Sequence, residues 1–212
     1  MTPVAIKICG LRELADVDAC IGLGVQMIGF NFWPKSRRRV AEDVARRLVR
    51  RLPPTIEPVG VFVDAEPEEV ARTVERVGLH AVQLHGSEDP EAYRDVGARV
   101  IQVVRVKPGT PLPVAVAGAA ERVLLDAWVE GHGGAGVRFD WDVVPRARDQ
   151  LARPIILAGG LTPDNVAEAI LRARPWGVDV ASGVESEPGV KDHRKLRAFV
   201  EAVREAEKGL AS

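Results

Sequence analysis

Short β-branched runs alternate along this chain with longer stretches in which apolar residues recur every three or four positions. Runs of the first kind predict buried strands, and the second pattern predicts amphipathic helices. Strands are expected at Val4–Ile8, Met27–Phe32, Val59–Val63, His80–Leu84, Val100–Val104, Arg122–Leu125, Pro154–Leu157 and Gly177–Val180. The first helices are expected over Glu13–Leu23 (apolar stripe Leu14, Val17 and Ile21), Ala41–Arg51 and Pro67 to about Val77. Glu88–Val96, Pro111–Ala120, a segment beginning near Asp142, Pro163–Ala173 and Asp192–Glu207 supply the rest. Pro67 can open its helix because the first turn has no use for the missing N–H, whereas Pro53-Pro54 closes one.

Eight strand-then-helix units follow one another without a linker. That series predicts an α/β chain folded as a closed (β/α)8, or TIM, barrel, with residues 1–212 as a single domain. An open doubly wound sheet is the alternative. Its common form uses fewer strands and a glycine-rich loop after the first of them, which this chain lacks.

Composition narrows the partners. The 212 residues carry a formal net charge of -1, which predicts neither a nucleic-acid nor a membrane partner. The N-terminus lacks the basic and apolar regions of a secretory signal, and no apolar run approaches the roughly 20 residues of a membrane span. With two cysteines, Cys9 and Cys20, a disulfide-free cytoplasmic protein is expected. Arginine outnumbers lysine 23 to 6 while asparagine occurs twice, a bias shared by heat-adapted and GC-rich hosts.

In a barrel, the residues just past each strand form one rim, and the chemistry gathers there. This rim would hold Cys9, the Pro34–Arg39 loop, Asp64, His85, Asp126, Gly159-Gly160 and Ser182-Gly183. Gly159, Gly160, Ser182 and Gly183 follow the last two strands, where small residues let backbone N–H groups approach a phosphate; tight turns need the same residues. Asp126 ends an apolar run and is either a general acid of raised proton affinity or a cap for the loop behind it. Cys9 is either a thiol activated by the start of the first helix or a small buried hydrophobe. The arginines at 37–39 either embrace a second anionic feature of the ligand or stay solvated. Strands one and six are separated around a closed ring by strands seven and eight. Thiol and carboxylate would then face each other across the mouth, with the phosphate loops between them.

Lys7 shares the face of Cys9, and Asp179 lies on the neighbouring eighth strand. A buried charge needs a partner, so the two are expected to pair inside the barrel, closer than about 5 Å. Gln83 and His85 share another inward register and either touch substrate or hold a loop. Cys20 sits at core spacing. His80, His85, His132 and His193 show no ligand spacing and the cysteines form no CxxC pair, so no metal is expected.

The motifs Lys7-Ile8-Cys9-Gly10, Gly29-Phe30-Asn31-Phe32-Trp33-Pro34-Lys35-Ser36-Arg37-Arg38, Val82-Gln83-Leu84-His85-Gly86 and Leu124-Leu125-Asp126 stand in order along the chain. Leu157-Ala158-Gly159-Gly160-Leu161-Thr162-Pro163-Asp164-Asn165 and Val178-Asp179-Val180-Ala181-Ser182-Gly183-Val184-Glu185 follow, with Gly189, Lys191 and Asp192 beyond. In this order and spacing the chain resembles the phosphoribosylanthranilate isomerases of tryptophan biosynthesis, over essentially its whole length. The resemblance implies a (β/α)8 enzyme without a cofactor, acting on a small phosphorylated substrate as a monomer or homodimer. It implies Cys9 as general base, Asp126 as general acid, Arg38 as a substrate-binding residue, and the loops at 159–160 and 182–183 as phosphate ligands. One departure stands out: Val137 occupies a position that is often lysine, and Arg138 beside it is the candidate for the displaced charge. A bifunctional or different phosphosugar isomerase, or a silent phosphometabolite-binding protein, is the competing expectation.

Overall fold

A computed structural model gives the structure of residues 3–107, 116, 118–127 and 140–211. Every expected strand forms: β1 (Ala5–Cys9), β2 (Met27–Asn31), β3 (Glu57–Phe62), β4 (Ala81–Leu84), β5 (Arg99–Val106), β6 (Ala120–Ala127), β7 (Ile155–Leu157) and β8 (Gly177–Val180). They are parallel and close into a ring in sequence order, β8 pairing with β1. Helices α1 (Leu14–Gly22), α2 (Glu42–Val49), α3 (Pro67–Val77), α4 (Val143–Leu151), α5 (Val166–Ala173) and α6 (His193–Ala211) connect them. A small hairpin, β9 (Glu185–Glu187) and β10 (Val190–Lys191), rises from the loop after β8.

Two apolar cores follow from the strand period of two. Alternate residues packed among themselves include Ala5, Met27, Val59, Ile101, Leu124 and Ile156. Their neighbours in sequence, such as Ile6, Ile28, Leu125 and Leu157, pack with the helices. Charges sit below and above the first cluster. At the start of the strands Glu57 pairs with Arg99 at 2.7 Å and with Arg122, whose guanidinium lies 4.8 Å above the Trp176 ring. At their ends lies the polar group described below.

Three expectations change, and a fourth falls mostly outside the described residues. Glu88–Val96 is not an α-helix; only Pro90–Tyr93 forms a single 3-10 turn. Glu88 is drawn out of it, its carboxylate accepting from the backbone N–H of Asp64 at 2.6 Å and of Gly86 at 2.7 Å. The expected helix Pro111–Ala120 lies mostly outside the described residues, and its last residue opens β6. The helix expected from Pro163 begins at Val166, because Asn165 folds back to accept the Thr162 N–H at 2.9 Å and so shapes Thr162–Asn165 as a turn. In α1 the buried side chains are Asp16, Val17 and Cys20, while Leu14 is 51% exposed. The stripe rotates because Asp16 turns inward to meet His193 of α6 at 2.8 Å.

Candidate active site

The end of β1 delivers Cys9, and its side chain is nearly closed off by its surroundings. Lys7, two residues earlier on the same face, is wholly buried, and its Nζ lies 2.8 Å from Asp179 Oδ1 of β8. The expected ion pair is therefore present, with Lys7 and Asp179 directly opposite in the strand register. Lys7 Nζ and the Cys9 sulfur both face Gly29 of β2, 3.1 and 2.9 Å from where its Cβ would stand. Burial alone would pull the Lys7 ammonium down, but Asp179 and Cys9 carry it above its ordinary value.

The thiol responds to the same surroundings. Burial pushes Cys9 above its ordinary value, while the charges of Lys7 and Lys191 pull the other way and lose. This differs from the expectation of activation by the first helix. That helix starts only at Leu14, and the positive-φ Gly10 turns the chain between them. The cation that meets the thiol is Lys7.

Across the ring, Asp126 near the end of β6 lies 3.3 Å from Nε2 of His85. The other ring nitrogen of His85 is 3.1 Å from the Gln83 amide. Gln83 is 2% exposed and sits beneath the imidazole. Of the two, His85 reaches the mouth and Gln83 supports it. Asp64 is taken up elsewhere: its carboxylate accepts from Ser87 N–H at 2.8 Å and Ser87 Oγ at 2.9 Å, bracing the loops after β3 and β4.

The glycine loops after β7 and β8 are pressed together. Gly159 and Gly160 both have positive φ, and a Cβ on Gly159 would come within 2.4 Å of the Ala127 nitrogen. A Cβ on Gly183 would lie 1.9 Å from the Leu161 carbonyl oxygen. Only glycine fits either place, so the two loops form one bare backbone surface. Arg38 lies on the loop after β2 and holds Glu185 with two hydrogen bonds, at 2.8 and 2.7 Å. Arg138 and Val137 lie outside the described residues.

Three participants went unread in the sequence. Gly29 on β2 faces Cys9, and a Cβ there would meet the sulfur at 2.9 Å and Lys7 Nζ at 3.1 Å. Asn165, buried, clasps the β7 loop by accepting from Thr162 and donating to the Gly160 carbonyl at 2.9 Å. Arg105 stands beside Asp126 in the register and donates to the His85 carbonyl at 2.8 Å. The chain's two asparagines were the available signal: Asn31 also braces a rim loop, accepting from Trp33 N–H at 3.0 Å.

A closed βα barrel with ionisable groups around the ends of its strands defines a class, the (β/α)8-barrel enzymes. Residues 6–202 match the family model of N-(5'-phosphoribosyl)anthranilate (PRA) isomerase, and the chain belongs to that family. An N-(5'-phosphoribosyl)anthranilate isomerase from Leptothrix cholodnii is 45% identical over 204 residues, spanning 95% of this chain and 91% of that one. A crystal structure of phosphoribosyl anthranilate isomerase in complex with reduced 1-(o-carboxyphenylamino)-1-deoxyribulose 5-phosphate superimposes with a TM-score of 0.81. It is 37% identical, and the match covers 95% of this chain and 99% of that one. Monomers of the dimeric phosphoribosylanthranilate isomerase of Thermotoga maritima match with a TM-score of 0.80 and 36% identity over 95% and 99% of the two chains. Membership makes this chain an isomerase of tryptophan biosynthesis.

Proposed function

We propose that Cys9 and Asp126 are the base and acid of an Amadori rearrangement. The substrate is N-(5-phospho-β-D-ribosyl)anthranilate and the product 1-(2-carboxyphenylamino)-1-deoxy-D-ribulose 5-phosphate. Asp126 gives a proton to the ribose ring oxygen as the C1–O bond breaks, leaving an open-chain Schiff base. The Cys9 thiolate then takes the proton from C2, and the electron pair moves into the protonated imine to give an enolamine. Reprotonation at C1 and loss of the enol proton yield the aminoketose. Electrons stay within the substrate, so the reaction calls for no cofactor.

The observation that carries this reading is the order of groups around the ring. Asp126 lies near the end of β6, the bare glycine loops follow β7 and β8, Cys9 ends β1, and Arg38 follows β2. A pentose with phosphate at one end and an aryl carboxylate at the other has the same order of parts. Phosphate at Gly159, Gly160, Ser182 and Gly183 would set C1 and C2 near the thiol and the aryl group toward Arg38. Lys7 supplies the counter-charge when Cys9 ionises, and Asp179 holds Lys7 in place. His85 orders the Asp126 carboxyl and lines the substrate space.

Residues 1–212 are read as one catalytic domain acting in the cytoplasm, as a monomer or a homodimer. The test is a direct assay with phosphoribosylanthranilate. Cys9→Ala and Asp126→Asn are each expected to lose at least roughly 100-fold in kcat with substrate affinity little changed, the scale of a missing general acid or base. Near-normal turnover in either variant would remove that residue from its role.

A further inference from the structure

The loops after β2 and β8 meet above the end of β1, and charge joins them. Glu185 accepts from Arg38 Nε on one oxygen and from Arg38 Nη2 on the other. Its Oε1 also takes Lys191 Nζ at 2.9 Å, and Lys191 donates again to the Ala181 carbonyl at 2.9 Å. Lys195 fixes the Glu185 backbone by donating to its carbonyl at 2.7 Å. Beneath this clasp Gly10 leaves room for the arginine stem: a Cβ there would stand 2.6 Å from Arg38 Cδ. The stem therefore crosses the backbone immediately after Cys9.

Among the described residues these contacts leave Arg38 one complete edge. A guanidinium has five N–H donors in a rigid plane, and a carboxylate occupies two at a time. Glu185 takes the Nε and Nη2 side. What remains is the end of the fork, the two Nη1 donors and the second Nη2 donor, wide enough for one further carboxylate. The charges point the same way. One carboxylate faces two cations, so the clasp as a whole stays positive. Arg38 itself follows β2, across β1 from β7 and β8, and Glu185 reaches over to it from the loop after β8.

We propose that Glu185 is a positioning residue that sets substrate specificity, holding one side of Arg38 so that its free edge is aimed at the aryl carboxylate. Demand for a carboxylate beside the amine is then a property of the Glu185–Arg38–Lys191 clasp, and Arg38 alone does not supply it. This rests on the isomerase reading above.

The test uses the full chain and two ligands: reduced 1-(2-carboxyphenylamino)-1-deoxyribulose 5-phosphate and its phenylamino counterpart without the carboxylate. Dissociation constants are measured by calorimetry for the unmodified protein, Glu185→Gln and Glu185→Asp, and turnover of phosphoribosylanthranilate is measured alongside. Glu185→Gln is expected to weaken the carboxylated ligand by roughly 10- to 100-fold, the scale of charge-assisted hydrogen bonds, while leaving its counterpart within about twofold. Glu185→Asp keeps the ion pairs, shortens the reach by one methylene and is expected to show a smaller loss of the same kind. Equal losses for both ligands would reduce Glu185 to a structural strut and overturn the proposal, as would no loss in either variant. An unmodified protein that fails to turn over phosphoribosylanthranilate would instead overturn the isomerase reading.

Discussion

A methyl group on Gly29 would lie 2.9 Å from the sulfur of Cys9, closer than a carbon and a sulfur can pack. The residue facing the thiol across the β1–β2 pair must therefore have no side chain. Gly29→Ala is expected to displace Cys9 and Lys7 together, since the same methyl would sit 3.1 Å from Lys7 Nζ. Overpacking of this kind costs about 1–3 kcal/mol, too little to unfold a typical domain. The variant should fold, with circular dichroism unchanged, and lose kcat about tenfold or more through misplacement of the base. Unaltered kcat would show that the thiol has room to move.

Lys7 and Asp179 form a pair in which the lysine side chain is fully buried. Lys7→Met leaves Asp179 a buried charge without its partner, an imbalance that typically costs about 3–5 kcal/mol. Lys7→Met with Asp179→Leu is expected to recover most of that stability and none of the turnover. Urea denaturation and steady-state assay of the two variants check both halves.

In the proposed reaction Cys9 acts as a thiolate, and burial holds it above its ordinary value of 9.0. The kcat/KM profile should therefore still be rising past the ordinary thiol range, and a plateau reached near neutrality would contradict the base assignment. Cys20 gives a stability counterpart. Burial pushes its thiol up to about 12 from 9.0, with Asp16 adding to the rise and Lys191 opposing it. A raised value means that the folded chain favours the neutral thiol. Its contribution is complete below the unfolded value and is lost as pH climbs from 9.0 toward about 12. Melting temperature measured across that window should fall less steeply in Cys20→Val.

Asn165 clasps the β7 loop, with partners at Thr162 N–H and Gly160 C=O. Asn165→Leu strands both backbone groups, at about 1–3 kcal/mol for an unsatisfied buried donor or acceptor. Because Gly160 belongs to the proposed phosphate surface, KM should rise more than kcat falls. Competition by inorganic phosphate should weaken in parallel, and calorimetry with phosphate measures it directly.

The barrel was legible because strand formation here depends on local β-branched runs, and eight of them in series admit few arrangements. What misled was side-chain traffic between elements. Glu88 belongs by pattern to a helix, yet its carboxylate is spent on the N–H groups of Asp64 and Gly86. Asp16 sits by pattern on the wet side of α1, yet His193, far off in sequence, turns it inward. Cys9, Asp126 and the glycine loops could be placed from strand ends alone, whereas Arg38's bond to Glu185 spans 147 residues and has no local trace.

The Lys7–Asp179 pair stands in a part of the barrel where apolar side chains would hold the strands together at least as well. On the proposed reading the pair serves the reaction and not the robustness of the fold. In a descendant that kept this fold and dropped its chemistry, positions 7 and 179 would drift to aliphatic residues early. Aliphatic residues at matching positions of another barrel of this build would then mark a loss of activity even where the cysteine is still present.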